Sequence, residues 1–313
     1  FSLLSACYTS NSVVSALPDG IAAVMNKPRY ARAAWSLLVS DLDSGRDIYS
    51  LNADSRSLTG STRKVVSVGL ALKHLGSQHR RTTSVYHQPN GDLVLVADGD
   101  LCFGGRRLDA TTVQFTNFDH NDANNLGTAV LTPQDPLEGL NQLAAQVRAS
   151  GITHIGGEVV VDDRLFDSYR VPNGNLLVTP ILLNENQVDV RVTPARAGQR
   201  AALEFRPQTS AYQVGGEVLT TAAGSPENIQ FSDQRLIPPG VTGGQVSGSL
   251  PEDYRAPLSG EGQYVGTFRV EDPASHARSA FIDALQRQGI SLSVAPVAPN
   301  PRDHLPQLPY QEA

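Results

Sequence analysis

The 313-residue chain is 40% hydrophobic and 18% charged with only two Cys, so it can bury more than one core and is neither disordered, collagen-like nor a disulfide-stapled miniprotein. Its formal charge of −6, from 25 basic and 31 acidic residues, provides no basic field for a phosphate backbone and argues against nucleic acid as a partner. No run reaches the ~18 apolar residues of a membrane span, so membrane contact is expected only if Cys7, in the lipoprotein-box-like stretch Leu4-Ser5-Ala6-Cys7, carries lipid.

In chain order, a short helix is expected near 19–25. A strand over 33–40 returns through the turn Asp43-Ser44-Gly45 into Ile48-Tyr49-Ser50-Leu51. From 61 to 76 the residues Val65, Val66, Val68, Leu70, Leu72 and Leu75 are apolar nearly all round, which predicts a helix buried in the middle of a domain and stopped by Gly76. Asn90-Gly91 predicts a two-residue hairpin turn between Val85-Tyr86-His87 and Leu93-Val94-Leu95-Val96. A helix over 136–150, with Leu137, Leu140, Ala144 and Val147 on one face and Gly151 ending it, precedes a strand over 158–161. Between 171 and 259 the chain is rich in Gly, Pro and Thr with short alternating strands, as in a small all-β insert. A last helix over 275–288 presents Ala277, Ala280, Phe281, Ala284 and Leu285; Gly289 stops it before a strand over 290–294, and the tail from 299 is Pro-rich without periodicity.

The basic residues are unevenly written: 22 are Arg and three are Lys, at 27, 64 and 73. A guanidinium is effectively never deprotonated, whereas a lysine amine can become neutral and act as a base. Ser61-Thr62-Arg63-Lys64 is an S-x-x-K spacing that sets hydroxyl and amine on one face of a helix start. An unprotonated lysine can take the proton of a serine and make it a nucleophile. The positive end of the helix disfavours the ammonium form, and the N–H groups of its first turn face an oxyanion. With 27 Ser and three Lys, chance supplies about 0.26 such spacings, so spacing alone is weak. Against a mere N-cap role for Ser61 stands Lys64, the wrong charge at the position where a capping box places Glu or Gln.

Around this pair the residues Trp35-Ser36-Leu37-Leu38-Val39, Asp43-Ser44-Gly45 and Leu58-Thr59-Gly60-Ser61-Thr62-Arg63-Lys64 resemble the start of a class C low-molecular-mass penicillin-binding protein, a D-alanyl-D-alanine carboxypeptidase/endopeptidase. The likeness continues through Ala97-Asp98-Gly99-Asp100, 156–167, Leu183-Asn184-Glu185-Asn186-Gln187-Val188 and Arg269-Val270-Glu271-Asp272-Pro273. The resemblance implies a multidomain α/β plus β fold: an incomplete β-lactamase/transpeptidase-like domain interrupted by two nested, mostly-β domains. The boundaries expected are 1–84 for the catalytic part, 85–170 with 260–298 for an inserted α/β domain, 171–259 for a nested β domain, and 299–313 for the return.

It also implies Ser61 as the acylated nucleophile and Lys64 as its base, with peptidoglycan stem peptides as substrates, β-lactams as inhibitors, no cofactor, and a bacterial extracytoplasmic location. The family's Pro-Ala before the serine is Thr59-Gly60 here. Its S-x-N and K-T-G elements have no counterpart: the one S-x-N is Ser50-Leu51-Asn52, upstream of Ser61, and no Lys follows Lys73. The runner-up readings are a catalytically silent peptidoglycan-binding module and a serine esterase or β-lactamase.

Other constellations are weaker. Asp119-His120-Asn121-Asp122 with Asn124-Asn125 could hold a divalent ion, but turn chemistry accounts for the same residues. Asp162-Asp163 point to opposite faces of a strand and are read as turn and interdomain contacts. The glycine pairs Gly104-Gly105 and Gly243-Gly244 lack the context of a phosphate loop. No His–Asp spacing suggests a histidine triad. Cys7 and Cys102 are compatible with a disulfide and with two free thiols alike.

Overall fold

The structure, a computed structural model, describes residues 17–103, 105–123, 127–171, 176–235 and 241–307. Cys7 lies outside the described residues, as do Asn124 and Asn125. The chain divides into two compact units, Phe1–His79 and Arg80–Ala313.

In the first unit, helix α1 (Asp19–Met25) precedes the antiparallel hairpin of β1 (Leu37–Ser40) and β2 (Asp47–Leu51). The expected turn between them is built by Asp41, whose carboxylate accepts the Ser44 N–H at 2.8 Å and the Ser44 hydroxyl at 2.6 Å. Helix α2 (Arg63–Leu75) follows a 3-10 turn at Gly60–Thr62 and ends at Gly76, whose φ of +83° is the left-handed stop that glycine permits. The apolar run does form this helix, but the expectation that it is buried fails. Val65 is 79% and Leu72 55% exposed, and no residue of α2 is buried. An all-round apolar pattern states what a helix needs to cover, not which residues cover it; one hairpin and one short helix are too little to enclose thirteen residues.

The second unit has two main cores. In the first, β3 (Ser84–His87), β4 (Leu93–Val96) and β6 (Val159–Asp162) form a three-stranded sheet, with β3 antiparallel and β6 parallel to β4. The β3–β4 turn is longer than the predicted two residues. The Gln88 N–H donates to the Asp92 carbonyl and the Gly91 N–H to the Gln88 carbonyl, leaving a three-residue loop with Gly91 at φ +90°. Pro89 accounts for the difference, because a two-residue Asn90-Gly91 turn would need an N–H at position 89 to donate to the Asp92 carbonyl, and proline has none; Gln88 makes that bond instead.

Helix α3 (His120–Ala123) is a single turn, whereas α4 (Glu138–Ala149) and the later α5 (Pro273–Arg287) are the helices that cover this sheet. Leu140, Ala144, Phe281 and Leu285 pack with Leu93, Leu95, Val159 and Val161. Full burial of each large side chain is worth roughly 1.5–3 kcal/mol. The start of α5 is fixed by Asp272, which accepts the Ser275 N–H, and by Pro273 in the first turn; Gly289 at φ +74° ends it. Strand β5 (His154–Ile155) pairs in parallel with the later β15 (Ser291–Leu292).

Strand β6 lies at the edge of its sheet, and side chains occupy its outer polar groups. The Asn300 amide accepts the Val161 N–H and donates to the Val161 carbonyl, both at 2.8 Å, while Arg278 Nε donates to the Val159 carbonyl at 2.7 Å. Of the adjacent aspartates, Asp162 takes two bonds from the Arg164 guanidinium and one from the Arg164 N–H, and Asp163 takes one from Arg302.

The short pair β7 (Tyr169–Arg170) and β8 (Leu177–Val178) leads towards the second core. There β9 (Gln187–Thr193) lies between β10 (Ala202–Arg206) and β14 (Tyr264–Arg269), all antiparallel. A second sheet has β13 (Thr242–Pro251) between β11 (Tyr212–Thr221), parallel to it, and β12 (Asn228–Arg235), antiparallel. Val188, Val190, Tyr212, Val246 and Phe268 form the layer between them. Gly244 has a packing reason to be glycine, since a Cβ there would lie 2.4 Å from the Phe268 ring.

Candidate functional site

Thr59 to Lys64 form a loop, one 3-10 turn and the first residues of α2. Gly60 has φ +51°, a left-handed conformation strained for alanine. That is the physical meaning of Thr59-Gly60 where the resemblance expects Pro-Ala. The backbone N-cap of α2 is Thr62, with no side-chain capping bond. The Thr62 hydroxyl donates instead to the Thr59 carbonyl. Ser61 therefore stands one residue before the N-cap and does not serve as one. Both Ser61 and Lys64 are exposed.

The second unit holds a different assembly, which the sequence reading treated as turn chemistry or a weak metal candidate. Asp119 and His120 are buried in a hydrogen-bonded ion network. Arg106 gives Asp119 a two-pronged pair at 2.6 and 2.7 Å and donates through Nε to Glu185 at 2.6 Å. The His120 ring places Nε2 2.5 Å from Glu185 and Nδ1 2.6 Å from Asp189. Asp189, fully buried, also accepts from Arg206 and Asn184, each at 3.1 Å. Three acids face Arg106, Arg206 and His120, so the charges balance when the ring is an imidazolium.

Burial opposes that charge on His120, but Asp189 and Glu185 outweigh it and raise the ring to about 9. Burial likewise works to raise Asp189, yet His120 and Arg206 hold it below the usual carboxylate range. Nearby Cys102 carries a free thiol pushed up to about 11, chiefly by burial. This argues against a thiolate nucleophile. Among the described residues no cluster of His, Cys, Asp and Glu has the arrangement of a metal site.

The network explains an irregular stretch of backbone. Asn184, Glu185 and Asn186 have φ of +49°, +49° and +58°, three consecutive left-handed residues that are not glycine. Each costs on the order of 1–2 kcal/mol. Side chains hold them there: Asn184 donates to Asp189 and to the Gln187 carbonyl, Glu185 binds Arg106 and His120, and Asn186 donates to the Leu177 carbonyl.

The model of the D-Ala-D-Ala carboxypeptidase 3 (S13) family matches residues 17–302. The chain belongs to this family. This S13 chain is similar to the D-alanyl-D-alanine carboxypeptidase of Actinomadura sp. (strain R39), at 24% identity over 306 residues, covering 90% of this chain and 49% of the relative. It thus spans about half the length of the curated relative it matches. Two crystal structures of penicillin-binding protein 4 from Haemophilus influenzae, one complexed with a β-lactam, align at TM-score 0.53 and 18% identity. They cover 88% and 82% of this chain, and the chain covers 52% of each. Those alignments establish a mixed α/β penicillin-binding-protein fold.

The sequence singled out Ser61 and Lys64 as candidates and gave no sign of the buried network. The bonds that join its distant segments link residues 65 to 79 positions apart, and no short spacing announces them. The available signal was Leu183-Asn184-Glu185-Asn186-Gln187, a run of amides and one acid next to the alternating valines of β9.

Proposed function

We propose that this chain carries the nucleophile-bearing part of a serine-type D-alanyl-D-alanine carboxypeptidase/endopeptidase that works on peptidoglycan stem peptides outside the bacterial cytoplasm. The carrying observation is Ser61 and Lys64 at the exposed start of α2, free of a capping role, in a chain of the S13 family. Lys64 Nζ takes the Ser61 hydroxyl proton as Oγ bonds to the carbonyl carbon of the penultimate D-Ala. The N–H groups of the first helical turn face the oxyanion. Collapse breaks the peptide C–N bond, and the terminal D-Ala leaves with a proton. Water then hydrolyses the ester, restoring Ser61 and releasing the shortened peptide.

The same serine opens a β-lactam ring, and the ester that results is the basis of penicillin binding. Family membership supports the nested arrangement, with 85–170 and 260–298 forming one inserted domain around 171–259.

The test is covalent labelling by a fluorescent penicillin. The full-length gene product is expected to gain one adduct on the peptide containing Ser61, and Ser61→Ala is expected to lose it. An adduct on another residue, or none on the full-length product, refutes the assignment. Lys64→Arg, which keeps the charge but cannot supply a neutral amine, is expected to slow acylation by at least about 100-fold.

A further inference from the structure

In the second unit, the segment 295–306 is held along the edge of β6 by side chains rather than by strand pairing. Arg278 donates through Nη1 to the Ala295 carbonyl at 3.1 Å, and the Asn300 N–H donates to the Ser275 hydroxyl at 2.8 Å. Beyond Asn300 the chain makes a 3-10 turn, Arg302–His304, that presents two side chains to two carboxylates. Arg302 pairs with Asp163, and His304 Nδ1 lies 2.9 Å from Asp92 Oδ2. The Pro306 carbonyl accepts from Arg164 at 2.9 Å.

These anchors differ in what can change them. Guanidinium–carboxylate pairs and amide bonds keep their state between about pH 5 and 9, whereas an imidazole titrates inside that range. Among the described contacts of the segment, His304 is the member that does so. Its partner is fixed: the Asp92 side chain is 3% exposed and also accepts the Glu158 N–H at 2.7 Å and the Asn90 amide at 2.8 Å, whereas the His304 side chain is 40% exposed and exchanges protons with solvent. The charged groups that act on the ring are Asp92 from the β3–β4 turn, Glu158 just before β6 and Asp303 of the 3-10 turn; Glu158 is itself paired with Arg278 at 2.9 Å. The bond to Asp92 raises His304 above its ordinary 6.5, slight burial opposes it, and the charges of Asp92, Asp303 and Glu158 add to it. A neutral ring still has one N–H for Asp92, but a charge-assisted bond is roughly twice as strong as a neutral one. The extra hold is therefore complete below 6.5 and is lost as pH rises through the raised value.

We propose that residues 301–306 form a pH-responsive strap on the edge of β6, pressed onto the sheet while His304 carries a proton and loosened, though not released, when it does not. Asn300 marks the fixed end, because its bonds to Val161 and Ser275 involve no group that titrates near neutrality. The device is separate from Ser61 and does not depend on the reaction assigned to it.

The test is amide hydrogen exchange of the chain, followed by NMR at about pH 5.5 and about pH 8.5, with each rate divided by that of the unfolded peptide at the same pH. The His304 and Leu305 amides donate to the Pro301 and Arg302 carbonyls at 3.0 and 3.2 Å. Their protection is expected to fall about three- to fivefold at the higher pH, a modest change because the ion pair borders solvent. Protection of the Asn300 amide is expected to stay the same. His304→Gln, a neutral donor, is expected to show the looser state at both pH values, and His304→Arg, charged at both, the tighter one. Equal protection of His304 and Leu305 at the two pH values, the same fall in either variant, or an equal fall at Asn300 would each overturn the proposal.

Discussion

The two units treat charge in opposite ways. Before His79, the lysine tied to the proposed chemistry stands at the start of an exposed helix, and the surrounding apolar residues of α2 stand in solvent with it. After Arg80, five ionisable side chains are buried and matched nearly atom for atom with the help of a half-buried sixth, Arg206, and they hold the left-handed Asn184 and Glu185 in place. A reacting group must be reached by its substrate and is marked by a short spacing. A buried charge must be satisfied from all sides and draws partners from distant segments. Conspicuousness in sequence and energetic weight in the fold are therefore different properties, and here they fall in different units.

The sharpest way to break this contrast is Arg106→Met, which leaves Asp119 and Glu185 buried without their shared cation. It is expected to cost the second unit about 3–5 kcal/mol, measured by urea unfolding followed by circular dichroism. The only Trp, Trp35, lies in the first unit, so its fluorescence transition should stay where it was.

A smaller effect is expected from pH, with opposite signs for two buried histidines. The folded state raises His120 from an ordinary 6.5 to about 9; its contribution is complete below 6.5 and is lost as pH rises through 9. His276 is lowered from 6.5 to about 4, so it favours folding above 6.5 and that contribution is lost as pH falls through 4. Stability of the second unit should therefore fall on both sides. His120→Gln should flatten the alkaline limb and His276→Phe the acid limb. Unchanged limbs in these variants would assign the pH dependence to other groups.

The smallest effect belongs to the exposed helix. Leu72→Ala should change unfolding of this chain by no more than about 0.5 kcal/mol. A loss of several kcal/mol would mean that α2 is covered in solution.

The sequence made the elements legible where local chemistry decides them. Helix α5 follows from its apolar spacing and Gly289, the β1–β2 turn from Asp43-Ser44-Gly45, and the active-site candidates from one lysine in an arginine-rich chain. Where longer-range matching decides, it was silent. The apolar residues of α2 show what demands cover without showing whether it is present. Asp119-His120 reads as a turn because nothing near it names Glu185 or Asp189 as partners. His276 reads as one more scattered histidine, because its burial beside the Tyr212 ring is decided only in the fold.

The amide of Asn300 has a consequence for colloidal behaviour. Strand β6 reads Val-Val-Val-Asp, and an open edge on such a strand would invite a foreign strand to continue the sheet. By binding both backbone groups of Val161, Asn300 imitates one residue of a neighbouring strand, while Arg278 takes the carbonyl of Val159. The edge is thus occupied by side chains that cannot propagate it. One asparagine near the end of the described chain keeps the edge of a valine-rich strand from intermolecular pairing.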